Sequence, residues 1–130
     1  MLRKLLSVFG GVFLGIITTR AIHSFSTKIH PAPSIAELAT EETFKAYLDT
    51  LPIEVYYLII VSHIAGTGIA AFVTSKMNET NGFYLGLITV FVMILFSVIT
   101  FTQVPVSGWL IAIDLMSMLM IGMLAAKLGD

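Results

Sequence analysis

Two ionisable residues, His63 and Asp114, fall inside otherwise apolar stretches. A charged side chain at the centre of a membrane helix costs about 2.5–3.5 kcal/mol on insertion scales, so such residues face protein or water and pair. His63 follows Pro52 by 11 residues and Asp114 follows Pro105 by 9. At about 1.5 Å of rise per residue they lie roughly 16 Å and 13 Å in from the same side. The spacing predicts a His63–Asp114 pair, in which a carboxylate holds an imidazolium or a neutral acid donates to neutral imidazole. Such a pair has two uses. It can fix helix register as an internal hydrogen bond, or line an outward-facing polar cavity that binds a small ligand or relays protons. Thr67 and Ser117 share the faces of His63 and Asp114 and join them as polar-core or ligand-binding candidates. Arg20 competes for Asp114 from the outer third of the first helix, although it points about 180° from Gly11 on the helical wheel. The alternative for Arg20 is to snorkel to the outer headgroups. His23 and Glu54 fall near the outer surface, where a solvated role is expected.

Other chemistries find less support. His63 and Asp114 cannot complete a metal site, which takes three or four protein ligands. Met116 and Met120 stack at i, i+4, yet methionine also fills apolar helices. A bis-histidine haem would need a second membrane histidine. A hydrolase using Ser62 or Ser117 would lack a nucleophile elbow and an oxyanion loop. The chain has no cysteine, which removes disulfides, thiolate metal sites and cysteine nucleophiles. Its net charge of -1 leaves no basic face for nucleic acid. No metal and no cofactor is called for, and no catalytic signature argues for an enzyme.

The elements that would carry these residues are membrane helices. Of the 130 residues 57% are hydrophobic and 12% charged, with mean hydropathy +0.96. A soluble domain of this size carries about 25% charged residues. Four apolar segments, near residues 5–22, 52–74, 83–101 and 106–126, reach the roughly 20 residues that span a ~30 Å hydrocarbon core. Each must be a helix, because lipid offers no partner to open backbone. The first follows Arg3 and Lys4 as a signal peptide would, but residues 18–24 lack an Ala-x-Ala-like cleavage site, so it reads as a retained helix. The chain is a single transmembrane domain, 1–130.

Short connections at 77–82 and 102–105 make consecutive helices neighbours, so an up-down-up-down bundle is the simplest assembly. With the N-terminus inside, Arg3, Lys4, Lys76 and Lys127 are cytoplasmic, while Lys28 and Lys45 are outside. Tyr56, Tyr57 and Trp109 then form the outer aromatic belt, with Phe83 and Tyr84 at the inner one. In the first outer loop, Pro31 and Pro33 end a helix, and Ser34-Ile35-Ala36-Glu37 reads as a capping box. Ile35, Leu38, Phe44, Leu48 and Leu51 recur at helical spacing among acidic residues, which predicts a short amphipathic surface helix over 34–49.

Lipid is as apolar as leucine, so membrane helices associate through small residues and polar contacts. Gly11, Gly15, Thr18 and Thr19 share one face of the first helix. Tyr56, His63, Gly66, Thr67, Ala70 and Thr74 share one on the second. Gly82, Gly86, Thr89, Met93, Ser97 and Thr100 do so on the third, and Ser107, Asp114, Ser117, Met118 and Ala125 on the fourth. Gly11, Gly15 and Gly66 are the helix-packing positions.

Gly11 to Gly15, Leu51-Pro52, His63-x-x-Gly66, and Trp109 followed by Asp114-Leu115 together resemble a group of small uncharacterised bacterial integral membrane proteins with four predicted helices. The resemblance implies a bacterial inner membrane and carries no assigned activity. The group's pattern has an acidic residue late in the first helix and a histidine between prolines before the fourth. Here those places hold Arg20 and Pro105-Val106-Ser107.

The expected fold is all-α: a four-transmembrane-helix bundle with a short amphipathic helix in its first outer loop. The leading expectation for function is association, as a homo-oligomer or as an accessory subunit with other membrane subunits. The alternative is a small-molecule or proton-handling protein with an outward polar cavity around His63 and Asp114. Lipid is the partner in either case. The orientation is open to test. Single cysteines placed at Ser34 and Met77 should react differently with an impermeant thiol reagent on intact cells, Ser34→Cys labelling and Met77→Cys not. The opposite pattern inverts the topology.

Overall fold

The computed structural model describes residues 1–31, 33–34, 36–104 and 106–130. Ile35 of the expected capping box and Pro105 before the fourth segment lie outside the described residues. Among those described there are five helices and no strand: α1 (Leu2–Ile29), α2 (Glu41–Thr50), α3 (Ile53–Lys76), α4 (Gly82–Gln103) and α5 (Gly108–Gly129). Four of them, α1, α3, α4 and α5, are long and apolar enough to cross a membrane.

Helix α1 runs past its apolar segment to Ile29. It stops where Pro31 forces the preceding residue out of the helical region, and His30 takes φ -126°, ψ 86°. The helix in the first loop, α2, is shorter than the sequence pattern predicts. Glu37 does reach back to the Ser34 amide at 2.8 Å, and its own amide donates to Ser34 O at 2.9 Å. That turn does not propagate, because a second cap lies downstream. Thr40 is extended (φ -113°, ψ 154°), and its side chain accepts from the Thr43 amide while the Thr43 hydroxyl accepts from the Thr40 amide. With Glu41 and Glu42 in the positive first turn, the helix starts there and runs only to Thr50. Tyr56 ties its end to α3 by donating to Leu48 O at 2.7 Å.

Helix α3 is central and touches α1, α4 and α5. Two adjacent stripes of small residues allow this. Gly66, Ala70 and Thr74 meet α1, while Thr67, Ala71 and Ser75 meet α4 and α5. On the α1 side the backbones are in contact. A methyl placed on Gly15 would lie 2.7 Å from Gly66 O and 2.8 Å from Ala70 Cβ, and one on Gly11 would lie 2.6 Å from Ala70 O. On the other side, a methyl on Gly122 would lie 2.6 Å from Val90, and one on Gly129 would lie 2.6 Å from Phe72 O. Small apolar clusters fill the remainder: Ala70, Met93 and Met118, then Ala71, Val90 and Ala126.

The contacts have a consistent register. Residues early in α1 meet residues late in α3: Arg3 donates to Met77 O at 3.1 Å, and Thr74 donates to Ser7 O at 3.2 Å. Further along, Thr19 donates to Ser62 O at 3.2 Å. Residues early in α4 meet the ends of α3 and α5. Ser75 donates to Gly82 O at 3.0 Å, and the Phe83 amide donates to Asp130 Oδ1 at 2.8 Å. The turn into α4 passes through Asn81 in the left-handed region (φ 63°), which Asn tolerates better than most residues.

Glycines of the same helix should therefore differ in tolerance. Gly15→Ala forces a methyl against carbonyl oxygen and should cost about 1–3 kcal/mol, the usual penalty of overpacking. An added methyl at Gly10 meets nothing within 4 Å, so Gly10→Ala should be neutral or should stabilise by up to about 1 kcal/mol through helix propensity. Thermal unfolding in detergent measures both.

Candidate functional site

The α1–α3 seam fixes the depth of α3, and the α3–α5 contact then sets Asp114 opposite His63. His63 Nδ1 and Asp114 Oδ2 are 2.7 Å apart, a charge-assisted distance. Asp114 has no accessible surface, while His63 retains 16% of its side-chain surface. The other carboxylate oxygen, Asp114 Oδ1, is buried and finds no partner among the described residues, nor does Thr67 Oγ1 on the next turn of α3. The layer therefore holds one bridged pair and two polar atoms free to accept a hydrogen bond, with His63 Nε2 as a further proton-carrying position.

The other candidates fall around this pair. Ser117 is half-buried, one turn along α5 from Asp114. Arg20 is exposed on α1, and the side-chain partner of Asp114 is His63. Gly11, Gly15 and Gly66 lie in the α1–α3 seam, inside the chain. Two residues outside the site candidates named from the sequence belong here. His23, expected in a solvated role near the surface, is half-buried. Its signal was present in the sequence: Gly11, Gly15, Thr19 and His23 form one i, i+4 row, and Thr19 reaches Ser62, the neighbour of His63. The second is Phe101, near the end of α4, whose ring lies edge-on to His63 at 6.1 Å between centroids. Phe101 also lines a cleft of about 550 Å³ between residues 38–41 with Phe44 and residues 102–104 with Val106. One aromatic ring is thus shared by the cleft and the buried histidine.

At the opposite end of the bundle the buried polar groups are paired. Asn78 Nδ2 donates to Ser7 Oγ and to Thr74 O, both at 2.7 Å, and Ser7 donates to Lys4 O at 2.8 Å. Thr89 donates to Thr74 Oγ1 at 3.0 Å. Ser7, Thr74 and Thr89 are fully buried and Asn78 nearly so. Asn78 lies in the connection between α3 and α4, and its side chain folds into the core and joins α1 to α3. This network is the form that structural glue takes when complete. The His63–Asp114 layer is not complete in that sense.

No family model, curated protein or solved structure matches the chain.

Removing one member of the pair strands the other in a buried site, at about 1–3 kcal/mol or more if it is charged. His63→Leu and Asp114→Leu should each lower the unfolding temperature in detergent, and the double variant should cost clearly less than their sum. Additive losses would show that the contact contributes no coupling energy.

Proposed function

We propose that this chain is a multi-pass protein of the cell membrane that takes up and passes protons at the His63–Asp114 pair, from the outer side. We take the membrane to be a bacterial inner membrane on the resemblance alone. The helices alternate in direction, with both termini cytoplasmic. The contact register supports the alternation: early α1 meets late α3, and early α4 meets late α3 and the end of α5. The orientation follows the four lysine and arginine residues at one end against two at the other.

The observation that carries the reading is the fully buried Asp114 carboxylate, bridged to an imidazole through one oxygen and unpartnered at the other. A histidine–carboxylate pair at membrane depth can give up and regain a proton without moving backbone. Asp114 Oδ1 and His63 Nε2 are the two places where a second proton can sit. The Phe101-lined cleft supplies an approach from water, and His23 extends the ionisable row toward the same side.

Association with a second copy or with other membrane subunits is the second reading. The helix-packing glycines Gly11, Gly15 and Gly66 are used between α1 and α3 of one chain. Vesicles holding the purified protein and a trapped pH dye distinguish the two. Under an imposed pH gradient the wild-type chain should dissipate protons faster than protein-free vesicles. Asp114→Asn and His63→Gln should each return the rate to the protein-free level. A wild-type rate equal to that of empty vesicles would remove the proton reading and leave association.

A further inference from the structure

A second feature lies at the other end of the bundle, far from the pair. α1 leans on α3 through its glycines, and α4 packs against α3 and α5, which leaves a groove of about 430 Å³ between α1 and α4. Val8 and Val12 line one wall, and Leu85, Ile88 and Val92 the other. The lining is apolar but for Lys4, and it includes no acidic side chain among the described residues. The geometry points to a binding site for an anionic phospholipid of the leaflet on the Lys4 side, with one acyl chain along the groove and its phosphate at Lys4.

Three observations select this occupant. The first is length. The α4 wall runs from Leu85 to Phe96, about 16 Å at a rise of about 1.5 Å per residue, which is one leaflet of a ~30 Å hydrocarbon core. The second is shape. Helices meet in membranes through glycine, alanine, serine and threonine, which let backbones approach. Both walls carry only valine, leucine, isoleucine, phenylalanine and methionine beside Lys4, a surface that accommodates a flexible chain better than a second helix. The third is charge. Lys4 stands at the end where Leu85 begins the groove, and Arg3 is nearby, held by Met77 O. In the orientation proposed above, this end meets the anionic cytoplasmic leaflet. The site rests on the membrane reading but not on the proton reading.

The test uses the full chain, stripped of lipid in a neutral detergent and titrated with palmitoyl-oleoyl phosphatidylglycerol or the matching phosphatidylcholine. Binding is read by native mass spectrometry and by the rise in Tm. A lysine near an anionic surface contributes about 1 kcal/mol, so phosphatidylglycerol should bind about fivefold tighter than phosphatidylcholine. Lys4→Gln should remove that preference and leave phosphatidylcholine binding unchanged. Val92→Trp should fill the groove and weaken both lipids. A second readout does not depend on that variant folding: Phe9→Trp fluorescence should be quenched more by acyl-brominated phosphatidylglycerol than by acyl-brominated phosphatidylcholine. Equal binding of the two lipids, indifferent to Lys4→Gln, would reduce the groove to ordinary lipid contact and overturn the inference. So would a change of oligomer size in Val92→Trp by light scattering, which would make the groove a protein contact. Absence of the lipid preference in the wild-type chain, with its proton flux intact, would overturn this inference alone.

Discussion

The position of every other helix depends on how closely α1 and α3 approach. Gly15 and Gly66 face each other with room for hydrogen alone, and Gly11 lies against the Ala70 carbonyl one turn away. Where lipid surrounds a protein, no hydrophobic gain separates helix from helix, and van der Waals contact between small residues is what remains. The seam is therefore both an adhesive and a ruler. It fixes the depth of α3, and because α3 also meets α4 and α5 with its second small stripe, it fixes theirs. His63 opposite Asp114 is a consequence of that register.

Polar groups are then handled in two ways along one bundle. Near the α3–α4 turn, Ser7, Thr74, Asn78 and Thr89 satisfy one another in a chain of hydrogen bonds that crosses three helices. Near the other end, Asp114 is buried as completely as Thr74, yet among the described residues one of its oxygens has no partner, and neither has Thr67 Oγ1. An unpaired buried acceptor costs more than a missing contact. The open layer is where we propose that a proton is exchanged, since a histidine–carboxylate pair is suited to carry one.

The groove between α1 and α4 follows from the same constraint. Since α1 is held by α3 along a narrow glycine row, its bulky residues are left to face outward and toward α4. Leu5, Phe9 and Phe96 remain largely exposed. The bundle thus presents a tight seam on one side of α1 and an open apolar cleft on the other.

The sequence by itself determined the number and rough extent of the apolar helices, because span length and hydropathy are local properties. It also singled out His63 and Asp114, since an ionisable residue in an apolar run is anomalous before any fold is known. It named Gly11, Gly15 and Gly66 as contact points without saying whether they meet within one chain or between two. That was decided by tertiary structure, where all three lie between α1 and α3. Tertiary structure also chose between two competing caps in the first loop, where Thr40 rather than Ser34 starts the helix. It brought in His23 and Phe101, which look ordinary in sequence because their importance lies in what stands opposite. It showed Asn78 turning inward and Asp114 keeping a free oxygen. Satisfaction of a buried polar atom depends on groups from distant parts of the chain, so no local pattern of residues could have revealed it.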